Sequence, residues 1–63
     1  MIDLKYMIRE ALEVKLITTN GYQMQGVIRE YDDNDKVLQL ERPDGKLNFV
    51  FLHAISTIIA PPF

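Results

Sequence analysis

Phe51-Leu52-His53-Ala54-Ile55-Ser56-Thr57 is the stretch whose reading decides the fold. An apolar run, Leu47, Phe49, Val50 and Phe51, leads into it, and a β-forming run, Ile55 to Ile59, leaves it. Between them His53-Ala54 reads as a tight corner. The only histidine of the chain is thus held where two strands meet, and a polar ring fixed at a strand corner can be displayed to a ligand.

Upstream the chain reads as further short strands separated by turn residues. Lys36 to Arg42 is one strand, and Pro43-Asp44-Gly45 then signals a turn before the strand Lys46 to Leu52. Asp32-Asp33-Asn34-Asp35 is a polar turn. A longer strand runs from Tyr22 to about Tyr31, with Gly26 in its middle, where glycine marks a bulge or sharp bend. Asn20-Gly21 predicts a two-residue hairpin of type I′, which needs positive φ at both central positions. Before it, Val14, Leu16 and Thr18 alternate with Lys15, Ile17 and Thr19 in a strand.

Residues 3 to 12 carry a different period. Leu4, Met7, Ile8, Ala11 and Leu12 fall on one face of an amphipathic helix, with Asp3 as its N-cap. Ten residues do not hold a helix in isolation, so this one must dock. Pro61-Pro62 ends the last strand. The expectation is a mainly β domain over residues 1–63: a short N-terminal helix, then a five-stranded, strongly bent antiparallel sheet curled into a small open barrel. The Sm fold answers to this, as do small barrels of SH3 or OB type.

A chain of 63 residues buries only about 60% of the surface its unfolded form exposes, so its core is marginal alone. Cysteine is absent, which removes disulfides and thiolate metal sites. Self-association is the expected source of added stability. The net charge of −2 supplies no global field for nucleic acid, so any RNA binding must come from local geometry, stacking and hydrogen bonds. No apolar run approaches 18 residues and no signal peptide is evident, so no membrane partner is expected and the cytoplasm is the expected location.

The side chains that could carry chemistry are few. His53 reads either as a corner residue satisfying backbone groups or as a ligand-facing imidazole able to stack or to donate to phosphate or base. Gln23 and Gln25 share one strand face, opposite Tyr22 and Met24. Each amide offers both donor and acceptor to a base edge, and an aromatic ring adds a stacking platform. The same tyrosine also reads as a cross-strand packing residue. Glu30, Asp32, Asp33 and Asp35 read as a solvated turn or a weak cation site. A calcium loop of EF-hand type fails, because Val37 and Pro43 stand where it needs glycine and glutamate. The seven cations, Lys5, Arg9, Lys15, Arg29, Lys36, Arg42 and Lys46, are scattered singly. No nucleophile with a paired base emerges, so an enzyme is not expected, and no cofactor is implied.

With Asn20-Gly21 at the first hairpin, Gln25-Gly26 in the bent strand and His53-Ala54-Ile55-Ser56-Thr57 near the end, the chain resembles the Hfq family of bacterial Sm-like RNA-binding ring proteins, over roughly residues 12 to 59. The resemblance implies a homo-oligomeric ring, usually a hexamer, in which the fourth and fifth strands of neighbours pair edge to edge. It implies binding of A-rich single-stranded RNA on the face away from the helices, through Gly21, Tyr22, Gln25 and Thr57, with Gln23, Met24 and Ile17 beside them. Asn20 to Gly26 reads closest to the Gram-positive branch, and Ile17 departs from the aromatic often found there. U-rich RNA would be bound around the pore, by Phe51, His53 and Lys36. Here Leu52 stands where the family carries a lysine, and an acidic stretch replaces the usual Gln-Phe pair. At the outer rim Arg9 matches one arginine, while Ile8 and Ala11 replace others, and the hairpin from Arg42 to Lys46 is longer than usual. The resemblance therefore implies an RNA-binding ring, with the annealing role of an RNA chaperone and post-transcriptional regulator, that prefers A-rich over U-rich RNA. The rival expectation is a structural or protein-interaction ring that kept the scaffold and lost RNA binding.

Overall fold

The computed structural model describes residues 4–62. The expected N-cap, Asp3, lies outside them. Helix α1 spans Leu4–Arg9, shorter than the apolar period predicts. Its end is fixed by backbone bonds: Leu12 N–H donates to the Met7 carbonyl and Ala11 N–H to that of Ile8, each at 3.1 Å, with Ala11 in the left-handed region at φ 51°. This is a Schellman motif with alanine in the seat glycine usually takes. Ala11 consequently turns outward, against expectation, while Leu4, Met7, Ile8 and Leu12 pack on the core.

Five antiparallel strands follow: β1 (Glu13–Thr18), β2 (Gln23–Asp32), β3 (Val37–Glu41), β4 (Leu47–Phe51) and β5 (Ile55–Ile59). A 3₁₀ turn, Leu52–Ala54, makes the corner between the last two. The sheet order is β4-β3-β2-β1-β5, so β4 and β5 are its two edges and the barrel is open between them. Alternation places Val14, Leu16, Met24, Ile28, Leu38, Leu40 and Val50 in one buried core. Five of them, Val14, Leu16, Ile28, Leu38 and Leu40, are fully buried.

Gly26 and the bulge are separate devices. A Cβ at Gly26 would lie 3.0 Å from the Glu41 carbonyl carbon and 3.2 Å from Leu40 Cγ, and would strike the Glu41 oxygen. Glycine is there because β3 passes too close for any side chain. The register shift falls further along, between Ile28 and Glu30, leaving Arg29 as the extra residue. Ile28 pairs with Leu40 before it and Tyr31 with Leu38 after it, so the shift keeps Tyr31 on the core side and sends Glu30 and Asp32 outward. A second irregularity lies between Ile17 and Thr18, where Ser56 is skipped and its hydroxyl donates to the Ile17 carbonyl at 3.1 Å.

The first hairpin is not the expected type I′ turn. Gly21 N–H donates to the Thr18 carbonyl (2.9 Å) and Thr18 N–H to that of Tyr22 (2.8 Å); Gly21 has φ +88°, while Asn20 is not in the positive-φ region. That is a three-residue loop closed by a left-handed glycine. The β3–β4 hairpin repeats it: Gly45 N–H to the Arg42 carbonyl (2.9 Å), Arg42 N–H to that of Lys46 (2.8 Å), and φ +87° at Gly45. In the β2–β3 turn, Asp32 Oδ1 accepts from the N–H groups of Asn34 and Asp35, and Lys36 takes the left-handed conformation at φ 56°.

Candidate functional site

Two rows of side chains cross three strands on the outward face. Gln23 of β2 stands opposite Ile17 of β1, which stands opposite Thr57 of β5. The next row is Gln25, Lys15 and Ile59. Direct cross-strand neighbours lie about 5 Å apart, so each row forms a continuous contact surface. Tyr22 caps the edge, 57% exposed, which excludes its reading as a packing residue. Its position is set by the hairpin, since Tyr22 N–H donates to Thr18 Oγ1 at 3.0 Å and Thr18 Oγ1 also bonds Asn20 Oδ1. Gln25 is oriented by Glu13, whose carboxylate accepts from Nε2 at 3.1 Å.

Of the residues expected on this face, Gly21, Tyr22, Gln23, Gln25, Ile17 and Thr57 are brought together. Met24 is not. It pairs with Leu16, is 8% exposed, and its sulfur accepts from Asn48 Nδ2 at 3.7 Å. Strand parity points it into the core, so it supports the face from beneath. Two residues missed by sequence reasoning belong beside the glutamines. Lys15 and Arg42, with Pro43, line a hollow of about 390 Å³ together with Gln23 and Gln25. The parity that puts Lys15 beside Ile17 was available in the sequence. The approach of Arg42 depends on the curl of the sheet and was not.

A second group gathers at the corner. Phe51 and His53 stack, with ring centroids 5.7 Å apart and planes at 29°. The corner's backbone groups are satisfied without the imidazole: Leu52 N–H donates to the Lys36 carbonyl (2.8 Å), and Thr19 N–H to that of Ala54 (2.9 Å). His53 is exposed and its ring makes no hydrogen bond among the described residues, so it is displayed rather than spent on structure. Lys36 joins this group, but its ammonium meets Asp33 Oδ1 at 3.0 Å. That hydrogen bond, then the Asp33 charge and Tyr31, raise its pKa above the usual lysine value. Leu52, half-buried, adds no charge.

The acidic residues are mostly engaged locally. Asp32 caps the turn, Asp33 holds Lys36, and Glu30 Oε2 accepts from Gln39 Nε2 at 3.3 Å. A hollow of about 670 Å³ collects Glu30, Asp32 and Asp35 near Ile8 and Phe49. No group of three metal-ligating side chains occurs among the described residues. Arg9, which the resemblance would put at an outer rim, lies over the Tyr6 ring at 5.7 Å and beside Glu10 at 3.4 Å.

The family model for Hfq protein matches residues 2–62. The chain belongs to the Hfq family. It is 38% identical over 52 residues to the RNA-binding protein Hfq of Pseudothermotoga lettingae, covering 82% of this chain and 54% of that one. It is 40% identical over 50 residues to the RNA-binding protein Hfq of Ruminiclostridium cellulolyticum, covering 79% and 59%. The chain thus spans under two thirds of the length of these curated relatives. A crystal structure of the pleiotropic translational regulator Hfq superposes with a TM-score of 0.81 at 39% identity, covering 89% of this chain and 88% of that one. A chain from a structure of an mRNA decapping complex superposes at 0.84 with 17% identity, covering 100% and 64%, and shares the fold alone. The fold is therefore the Sm-like one of Hfq proteins. Among the described residues no helix is long and apolar enough to cross a membrane.

Proposed function

We propose that this Hfq-family chain assembles into a ring of identical copies, a hexamer as its family implies, that binds single-stranded RNA in the cytoplasm. A-rich RNA is preferred over U-rich RNA, and no bond is made or broken. The observation that carries this is the outward surface of Gln23-Ile17-Thr57 with Tyr22 at its edge and Gln25 in the next row. An exposed ring with two amides and a hydroxyl suits a base, which stacks on the aromatic face and offers its edge to the amides. Ile17 replaces an aromatic in the middle of the row, so each base has one stacking surface there.

Assembly is supported by the open edges. β4 and β5 are unpaired edge strands, and Leu47, Phe49 and Phe51 stand 48%, 64% and 52% exposed along β4. An exposed apolar edge strand invites pairing, and pairing of β4 with β5 of a neighbour is heterologous, the kind of interface from which closed rings are built. U-rich binding at the corner is weak in this reading, since Lys36 is held by Asp33 and Leu52 brings no cation. RNA annealing and post-transcriptional regulation would then rest on the A-binding face.

Fluorescence anisotropy with oligo(A) and oligo(U), at low and near-physiological salt, tests the reading. Binding of oligo(A) and much weaker binding of oligo(U) is the expected result. Binding of neither would favour the second reading, a protein-interaction ring, to which the acid-lined hollow beside Phe49 gives a specific surface.

A further inference from the structure

Charge is segregated on this molecule in a way its net value of −2 hides. The larger hollow contains three acids, Glu30, Asp32 and Asp35, and one cation, Arg29, which is paired with Glu41. The hollow beside the glutamines contains two cations, Lys15 and Arg42, two amides, Gln23 and Gln25, and no acid. Glu13 and Glu41 line the adjoining hollow with Arg42 and Pro43, Glu41 bonded to Arg29 Nε at 2.7 Å and Glu13 to Gln25.

Arg42 is presented by a stiff element. It opens the turn Arg42-Pro43-Asp44-Gly45, in which proline fixes φ at the second position and Gly45 closes the loop. Asp44 Oδ1 accepts from Lys46 N–H at 3.0 Å, locking the far side. The Arg42 guanidinium has no ion-pair partner among the described residues. Lys15 is held opposite Gln25 in the β1–β2 ladder. Two cations, Lys15 on β1 and Arg42 at the start of the β3–β4 turn, beside base-reading amides match the alternation of single-stranded RNA, in which a phosphate follows every base.

We infer that Lys15 and Arg42 form a phosphate rail: they hold the RNA backbone where it runs past Gln23 and Gln25, with the Arg42 fork gripping phosphate oxygens and Lys15 acting as a point charge. This rests on the RNA-binding reading above. The β3–β4 hairpin thereby becomes part of the RNA surface, and the rail adds affinity without sequence preference.

The salt dependence of binding reads this directly. Oligo(A) affinity is measured across a salt series for the unsubstituted protein, Arg42→Gln, Lys15→Gln, Arg42→Lys, and Lys5→Gln on α1 as control, with circular dichroism and thermal melting confirming each fold. On single strands each lost phosphate contact lowers the slope of log affinity against log salt by about 0.7. Arg42→Gln and Lys15→Gln should each lower the oligo(A) slope by about that amount per contact and weaken oligo(A) binding at low salt, leaving the weak oligo(U) binding at the corner unchanged. Arg42→Lys should keep the slope, as should Lys5→Gln. Oligo(A) binding with slopes unchanged in Arg42→Gln and Lys15→Gln overturns the rail alone. Absence of oligo(A) binding by the unsubstituted protein overturns the proposed function and the rail together.

Discussion

Leu52 donates its backbone N–H to the carbonyl of Lys36 at 2.8 Å, which joins the corner after β4 to the turn before β3. One residue of this pair is apolar and the other has its charge taken up by Asp33. Leu52→Lys would put a second cation beside Lys36 and His53. Oligo(U) affinity should rise about tenfold, the size of one charge-assisted hydrogen bond. Anisotropy decides, and an unchanged affinity would mean that the corner is closed to RNA for another reason.

Asp33→Asn should release Lys36. The Asp33 hydrogen bond and charge hold the ammonium above its ordinary 10.5, with Tyr31 contributing less. A lysine whose pKa rises on folding stabilises the fold below its unfolded value and loses that contribution as pH climbs through the folded one. The pair is therefore intact at neutral pH and fails in the alkaline range above 10.5. In Asp33→Asn, Lys36 should titrate closer to 10.5 by NMR, and oligo(U) should bind more tightly. A Lys36 titration identical in the two proteins would remove Asp33 as the cause.

Gly26→Ala should cost about 3 kcal/mol, at the upper end of overpacking penalties, because the obstacle is the Glu41 backbone and not a movable side chain. Urea unfolding measures it. A loss below about 1 kcal/mol would show that β3 yields easily at this crossing.

Ala11→Gly should act in the opposite direction. Ala11 holds φ 51° at the end of α1, a conformation that costs a side-chain-bearing residue about 1–2 kcal/mol and glycine little. After the greater entropy of glycine in the unfolded chain, a gain of about 0.5 kcal/mol remains. The same urea experiment reads it, and destabilisation would contradict the assigned cap.

Phe49→Asp addresses assembly. Phe49 is 64% exposed on the edge strand β4, so a charge there should leave the isolated subunit intact while opposing association. Light scattering at micromolar concentration should give a multiple of the 7.3 kDa chain mass for the unsubstituted protein and a lower mass for the variant. A monomeric unsubstituted protein would sink the ring.

Much of the fold was legible because its signals are local. The alternation at Val14, Leu16 and Lys15, Ile17 gave β1 and its inward face, and Pro43-Asp44-Gly45 gave a turn. Other features depended on what lies across the sheet. Gly26 announced something unusual in β2, but only the path of Glu41 shows that it is a crossing and that the bulge is at Arg29. The end of α1 carried no glycine to mark it, and Ala11 was assigned to the wrong face. Asn20-Gly21 promised a two-residue loop, and the chain uses three. At the site, parity was enough to group Gln23, Gln25 and Ile17, and should have excluded Met24. Arg42 is distant in sequence from the glutamines, and only the curl of the sheet makes it their neighbour.

The extra residue at Arg29 gives β2 two reading frames. Before it, even-numbered residues point inward and Gln23 and Gln25 point out; after it, Tyr31 points inward and Glu30 and Asp32 point out. A single strand therefore furnishes an amide surface at one end of the molecule and an acidic one at the other, with the phase change insulating them. Substitutions in either half leave the other's inward-outward sense untouched, so the two surfaces are free to change independently. Deleting Arg29 would remove the phase change and leave an unbroken ladder, Ile28 opposite Leu40 and Glu30 opposite Gln39, so both surfaces should outlast the bulge itself.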